Sequence, residues 1–224
     1  LIGSAQTGTG KTAAFGIPSI HLTNVSDKRA QTLILCPTRE LCMQITSDLK
    51  KYSKYLNKIH IVPVYGGASI DTQIRALNRG SQIVIGTPGR TKDLIKRKKL
   101  LLGSVGRIVL DEADEMLSMG FKEDLDFILS KTSGQKQTLL FSATMPRKVT
   151  SIIKEYMNNP VTIAVDPINT AAVNVVHVYH MVQAKDRYEV VKRIVDINPN
   201  IYGIVFCRTR RETKDVSNRL MVDG

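Results

Sequence analysis

One stretch near the start of the chain constrains its fold more than any other, and it ends in Gly-Lys-Thr. It lies between an apolar start and a run typical of a helix. In such a strand–loop–helix setting, glycines let several backbone N–H groups point at one centre beside a helix N-terminus. The pattern is typical of a phosphate-binding loop, in which Lys11 reaches the β- and γ-phosphates and the Thr12 hydroxyl faces Mg²⁺.

The predicted loop departs from the general pattern at its first position, where an alanine replaces glycine. Gly-Lys-Thr alone is also compatible with an ordinary glycine-rich turn that carries a solvated lysine. The other glycines and the flanking segments favour the nucleotide site. The loop consists of Ala5, Gln6, Thr7, Gly8, Thr9, Gly10, Lys11 and Thr12.

Apolar runs and amphipathic runs alternate over residues 1–166. This alternation predicts an α/β fold, a parallel sheet with helices on both faces. Strands are predicted at 32–36, 61–65, 82–85, 107–110, 138–141 and 161–165, and helices at 41–52, 70–77, 92–97, 125–129 and from Pro146 onward.

A polar cluster follows each of five predicted strands. Ligands of parallel α/β sheets lie beyond the carboxyl ends of the strands, so these clusters are candidate site segments. They are residues 37–39, 66–67, 87–90, 111–114 and 142–144.

Two neighbouring acids close the predicted strand 107–110. A carboxylate at the position of Asp111 can hold Mg²⁺, and Glu112 can polarise an attacking water. The alternative is a pair of solvated acids without a role. Ser142 and Thr144, at a neighbouring strand end, can hydrogen-bond the acids and report the state of the nucleotide.

The chain has a formal net charge of +12, which favours a polyanionic partner, nucleic acid first. Arg39 and Arg90, with the backbone of Gly66 and Gly67, are candidates for phosphodiester contacts. Aromatic residues make up only 5% and tryptophan is absent, so contacts to the backbone are favoured over base stacking. The basic run 96–99 is interpreted as a solvated helix end.

The remaining composition fits a globular protein with a substantial core. No apolar run approaches the ~20 residues that span a bilayer, so no membrane partner is expected and a cytoplasmic location is predicted. The cysteines have no metal-type spacing and are expected to be reduced and mostly buried. His177 and His180 lie in a predicted strand, on opposite faces, which argues against a metal site.

A change of composition divides the chain. Residues 1–166 are predicted to form one domain, 167–174 a linker and 175–224 the start of a second domain. In the second part we predict strands at 175–182 and 202–207 and helices at 187–195 and 210–221. The chain is interpreted as cut at both ends.

In their order and spacing, these motifs resemble those of DEAD-box ATP-dependent RNA helicases. Among these, they resemble the bacterial members most. The resemblance covers nearly the whole chain and implies two RecA-like domains, the second incomplete. It is carried by residues 5–12, Pro-Thr-Arg-Glu-Leu at 37–41, Gly-Gly at 66–67, Thr-Pro-Gly-Arg at 87–90, Asp-Glu-Ala-Asp at 111–114, Ser-Ala-Thr at 142–144 and Val-Phe-Cys-Arg-Thr at 205–209.

The resemblance implies RNA-stimulated ATP hydrolysis coupled to local unwinding of short RNA duplexes. Residues 5–12 would hold the ATP phosphates, and Lys11, Asp111 and Glu112 would be catalytic. Thr12 and Asp111 would hold Mg²⁺. The residues that would contact the RNA backbone are Thr38, Arg39, Gly67, Thr87 and Arg90. Those that would couple the ATP state to RNA binding are Asp114, Ser142 and Thr144.

Two other functions stay open. One is a catalytically idle RNA-binding or adaptor module, against which the intact Lys11, Asp111 and Glu112 argue. The other is a different phosphate-loop enzyme, such as a DNA-directed translocase. The family's adenine-reading glutamine motif and its second-domain arginines are not in this sequence, so we expect this chain alone to bind nucleotide weakly and to turn over poorly.

Overall fold

The computed structural model describes residues 1–4, 9–56, 58–132, 134–164 and 176–223. The chain divides into two compact units, residues 1–171 and residues 172–224. In the described part of the chain, no helix has the length and apolar character needed to cross a membrane.

The first unit is built on a seven-stranded parallel sheet, which confirms the predicted α/β class. The strand order is β3-β4-β2-β5-β6-β1-β7. The strands are β1 (Ile2–Ser4), β2 (Thr32–Leu35), β3 (Ile61–Val64), β4 (Ile83–Gly86), β5 (Arg107–Leu110), β6 (Gln137–Ser142) and β7 (Thr162–Ala164).

Position in the sheet follows from composition. The interior strands β2 and β4 are predominantly apolar and are buried along their whole length. Pro63 lies in β3, which forms one edge of the sheet. Proline has no N–H to donate to a neighbouring strand, so an edge position tolerates it.

Helices connect the strands and cover both faces of the sheet. Along β2, Leu33 belongs to one buried cluster and Ile34 to the other, because successive side chains of a strand point to opposite faces. The helices of this unit are α1 (Lys11–His21), α2 (Arg39–Tyr52), α3 (Ile70–Asn78), α4 (Pro88–Lys96), α5 (Ala113–Ser118), α6 (Lys122–Ser130) and α7 (Arg147–Tyr156).

The two faces carry different helices. Phe15 of α1 and Leu49 of α2 pack in the cluster that contains Ile34. Leu77 of α3, Leu94 of α4 and the buried residues of α5, α6 and α7 pack in the cluster that contains Leu33. Since all strands are parallel, every strand ends at the same edge of this layered unit.

The second unit contains helices and a 3₁₀ turn in its described residues. The turn is Ala184–Asp186, and the helices are α8 (Arg187–Ile197) and α9 (Arg210–Asp223). Both predicted helices are confirmed. The predicted strands are wrong where the structure describes them, since residues 176–182 and 202–207 have no strand structure. An apolar run becomes a strand only when a neighbouring strand satisfies its backbone.

Candidate nucleotide and nucleic-acid site

The predicted phosphate loop leads directly into α1. Gly10 has φ of +86°, a conformation that glycine adopts without steric cost, and its carbonyl accepts hydrogen bonds from the N–H groups of Ala13 and Ala14. Lys11 and Thr12 are the first residues of α1, where the partial positive charge of a helix favours an anion. Ala5, Gln6, Thr7 and Gly8 lie outside the described residues.

A cleft of about 450 Å³ opens beside this helix N-terminus. It joins the end of the phosphate loop to the acids after β5 and to one side of α2. The lining residues are Gly10, Lys11, Thr12, Ala13, Thr38, Glu40, Leu41, Gln44, Asp48, Tyr52, Asp111 and Glu112. The structure therefore brings together six of the predicted site residues, Gly10, Lys11, Thr12, Thr38, Asp111 and Glu112.

Asp111 is a carboxylate in an unusually buried position. It is only 3% exposed, and its backbone N–H donates to the carbonyl of Leu35 on the neighbouring strand. Burial raises the pKa of Asp111 to about 6, the charge of Lys11 lowers that pKa and the charge of Glu112 raises it. A cation beside this carboxylate would favour its charged form.

The surroundings of Asp111 fit Mg²⁺ better than a metal held by protein alone. Among the described residues, no group of three or more His, Cys, Asp or Glu side chains could hold a metal ion. Mg²⁺ commonly binds through one or two protein oxygens together with substrate phosphates. The Asp111 carboxylate and the Thr12 hydroxyl line the same cleft, and they could supply those oxygens.

Glu112 adopts a backbone conformation that is uncommon for a residue with a side chain. Its φ of +52° and ψ of +52° place it in the left-handed region, immediately before α5. Its N–H donates to Oδ1 of Asp111 at 3.1 Å, and its carbonyl accepts from Met116. Strained backbone of this kind persists where the surrounding structure fixes it, often at functional sites.

The third acid of the cluster connects two strand ends. Oδ2 of Asp114, on α5, accepts hydrogen bonds from the Thr144 hydroxyl at 2.6 Å and the Thr144 N–H at 3.0 Å. The Ser142 hydroxyl donates to the carbonyl of Thr144 at 2.7 Å. Burial raises the pKa of Asp114, but hydrogen bonds from Thr144 and Ser142 outweigh it and lower that pKa overall.

The predicted RNA contacts lie in the loops after β2, β3 and β4 and in the first turns of α2 and α4. We call Thr38, Arg39, Gly67, Thr87 and Arg90 the candidate RNA surface. The Arg39 guanidinium lies 5.1 Å from the centre of the Tyr65 ring, and Nη1 of Arg90 donates to the carbonyl of Ala68 at 3.1 Å. Both arginines are thus tied to the loop that contains Gly67, whose φ is +77°.

The two threonines of the candidate RNA surface begin helices. The Thr38 hydroxyl accepts the N–H of Leu41 and so caps α2, and Thr38 also lines the nucleotide cleft. Thr87 precedes Pro88, the first residue of α4, and its carbonyl accepts from the Thr91 hydroxyl. Each therefore fixes the start of a helix at the edge where the strands end.

Several residues of the site were missed at the level of sequence. Tyr65 and Gln73 support the loop after β3, because Nε2 of Gln73 donates to the carbonyl of Tyr65 at 3.0 Å. Gln44, Asp48 and Tyr52 form one side of the nucleotide cleft. Their spacing of four residues was an available signal, since residues at i and i+4 share a face of a helix.

Comparisons with known proteins identify relatives of this chain. The sequence profile of the DEAD/DEAH box helicase family matches residues 1–152. The chain is 43% identical to the DEAD-box ATP-dependent RNA helicase CshA of Geobacillus kaustophilus, covering 100% of this chain and 48% of that protein. It is 40% identical to the ATP-dependent RNA helicase DeaD of Mycobacterium tuberculosis, of which it covers 39%.

The structure resembles a solved relative as well. A DEAD box protein from the hyperthermophile Methanococcus jannaschii matches with a TM-score of 0.71 and 41% identity, over 100% of this chain and 59% of that one. The chain thus spans less than half the length of the curated relatives named above. The profile match and these identities show that the chain belongs to the DEAD/DEAH box helicase family.

Proposed function

We propose that this chain takes part in RNA-stimulated ATP hydrolysis that is coupled to local unwinding of short RNA duplexes. One observation carries the proposal: Lys11, Thr12, Asp111 and Glu112 line a single cleft at the N-terminus of α1. The names of the relatives, ATP-dependent RNA helicases, support the same substrates.

In the proposed reaction, the N–H groups at the start of α1 and the Lys11 ammonium bind the phosphates of ATP. Asp111 and Thr12 would hold Mg²⁺, which when bound neutralises charge that develops on the phosphates. Glu112 orients the attacking water and accepts its proton, a role worth roughly 10²–10⁴-fold in rate for general bases. Glu112 lines this cleft, with its backbone in the left-handed region.

The proposed coupling runs through Asp114, Thr144 and Ser142. Their hydrogen bonds join α5, which follows the catalytic acids, to the segment after β6. A change at the acids on hydrolysis would pass to this segment. The proposed RNA contacts are to phosphates and sugars, from Arg39 and Arg90 and from the backbone near Gly67.

We further propose that residues 1–166 form the ATP-binding RecA-like domain, 167–174 a linker and 175–224 part of a second RecA-like domain. A cytoplasmic location belongs to the proposal, because RNA and ATP are present there.

The test is ATP hydrolysis by the full-length protein, with and without single-stranded RNA, beside a Glu112→Gln variant. Glutamine preserves the size of the side chain but cannot accept the proton. We expect RNA to stimulate the wild type, and we expect the variant to lose at least ~10²-fold in rate while it still binds ATP. Single-stranded DNA of the same sequence serves as the control polymer.

The outcomes separate the functions that the sequence left open. Tight RNA binding without hydrolysis in either protein would favour an adaptor. Equal stimulation by DNA and RNA would favour a translocase that does not select RNA.

A further inference from the structure

Three lysine side chains converge on one aromatic ring of the first unit. The Nζ atoms of Lys92, Lys96 and Lys131 lie 5.8, 5.6 and 5.7 Å from the centre of the Phe127 ring. We call these lysines the Phe127 lysine cluster. It lies on the face of the sheet covered by α4 and α6, whereas the nucleotide cleft is lined by α1 and α2.

Backbone positions fix this convergence. The helices α4 and α6 pack side by side and run in the same direction, since Gly89 and Lys92 face Asp124 while Lys96 faces Phe127. Lys92 and Lys96 are four residues apart and share one face of α4. Lys131 follows the last residue of α6, so its side chain reaches the same ring from the other helix.

The positive charge of the cluster is only partly balanced. Asp124 pairs with Lys92 at 2.6 Å. Within the described ranges, the exposed Lys96 and Lys131 have no ion pair, and neither do Lys98 and Lys99 in the following turn. Like charges held this close repel each other, and an anion between them would relieve that repulsion.

The position of the cluster indicates which kind of anion would bind to it. Helix α4 begins at Pro88, next to Thr87 of the candidate RNA surface, and carries Arg90 in its first turn. Lys96 lies six residues beyond Arg90, about 9 Å along the helix axis. Around the helix axis, Lys92 and Lys96 project about 160° and 120° away from Arg90, toward α6 rather than toward the loop of Ala68. A polymer of regularly spaced phosphates that contacts Arg90 therefore reaches the cluster by passing over the first turn of α4, where Gly89 lies beside Asp124 of α6.

We propose that the Phe127 lysine cluster binds backbone phosphates of single-stranded RNA that extends beyond Thr87 and Arg90. The inference rests on the proposed function and adds a second point of contact to it. Binding is to charge rather than to base edges, so it is independent of sequence and weakens with salt.

The test compares RNAs of ~6 and ~15 nucleotides, a range of single-strand site sizes. Binding to the full-length protein is measured by fluorescence anisotropy from low to moderate salt. The variant is Lys96→Gln with Lys131→Gln. Its matched control is Lys50→Gln with Lys54→Gln, two exposed lysines at the end of α2 on the opposite face of the sheet.

We expect the cluster variant to bind the longer RNA roughly five- to tenfold more weakly at low salt, with a salt slope reduced by about 1.4. Its affinity for the short RNA and the affinities of the control variant are expected to match wild type.

Three results would overturn the inference. Equal losses for both RNA lengths would mean that the cluster acts on the candidate RNA surface itself. Unchanged binding to both lengths would exclude RNA from the cluster. Loss of binding to an acidic peptide, with RNA binding intact, would assign the cluster to a protein partner. Failure of the wild type to bind either RNA would instead reject the proposed function.

Discussion

At the scale of single residues, Asp111 combines burial with a charge that it has to carry in order to hold a cation. Its pKa is about 6, against an ordinary value of 3.8. Between these values the folded chain binds more protons than the unfolded chain, so the free energy of unfolding falls as pH rises. Ionising the buried Asp111 carboxyl lowers the free energy of unfolding by about 3 kcal/mol in full. This loss is complete above the pKa of the folded state and absent below the pKa of the unfolded state.

Asp111→Asn is therefore expected to stabilise the protein at pH 8 by up to about 3 kcal/mol, while it abolishes ATP hydrolysis. The gain should shrink as pH is lowered through 6 toward 4. Urea unfolding of both proteins at several pH values measures it. Asp71→Asn, an exposed substitution on α3, is the control and should show no such gain. A pH-independent difference would contradict the burial argument.

At the scale of elements, the end of β4 shows how closely the site depends on packing. A Cβ on Gly86 would collide with the Thr91 hydroxyl and would lie 2.8 Å from Cγ2 of Val64. Thr91 is in the first turn of α4, so Gly86 allows this helix to start directly beside the strand end. The position of Thr87 and Arg90 follows from that approach.

We expect Gly86→Ala to lower the free energy of unfolding by about 1–3 kcal/mol, the usual cost of overpacking. Because α4 has to shift, RNA affinity should fall as well. The matched control is Gly103→Ala, where a Cβ would meet nothing within 4 Å. The test compares the thermal unfolding and the RNA affinity of the two variants. Equal stability of the two would show that β4 and α4 can move apart freely.

Strands and helices could be predicted from the sequence where a single local pattern determines the secondary structure. The apolar runs of β2, β4 and β5 gave strands within about a residue of their observed ends, because burial on both faces demands that composition. Helix α4 begins four residues before its predicted start, at Pro88, which suits the first turn of a helix. The contact between Arg39 and Tyr65 needs two loops to meet, so no local pattern indicates it.

At the scale of the whole molecule, the net charge of +12 predicts that RNA affinity weakens as the salt concentration rises. Each phosphate neutralised on a single strand contributes about −0.7 to the slope of log affinity against log salt. If Arg39 and Arg90 each neutralise one phosphate, the slope is about −1.4 or steeper. Arg90→Gln should reduce the magnitude of this slope by about 0.7. Anisotropy titrations over a series of salt concentrations measure this, and an affinity insensitive to salt would contradict the proposed backbone contacts.

The order of the strands has a consequence for how such a molecule can diversify. The proposed RNA contacts follow β3, β4 and β2, and the acids and hydroxyls of the nucleotide side follow β5, β6 and β1. Along the chain the RNA set is one block inserted between two parts of the nucleotide set, and in the sheet the two sets occupy separate halves that adjoin at β2 and β5. Mutations in the loops after β3 and β4 can therefore change the proposed RNA contacts without touching the acids after β5, whereas mutations after β2 affect both sets, because Thr38 and α2 also line the nucleotide cleft.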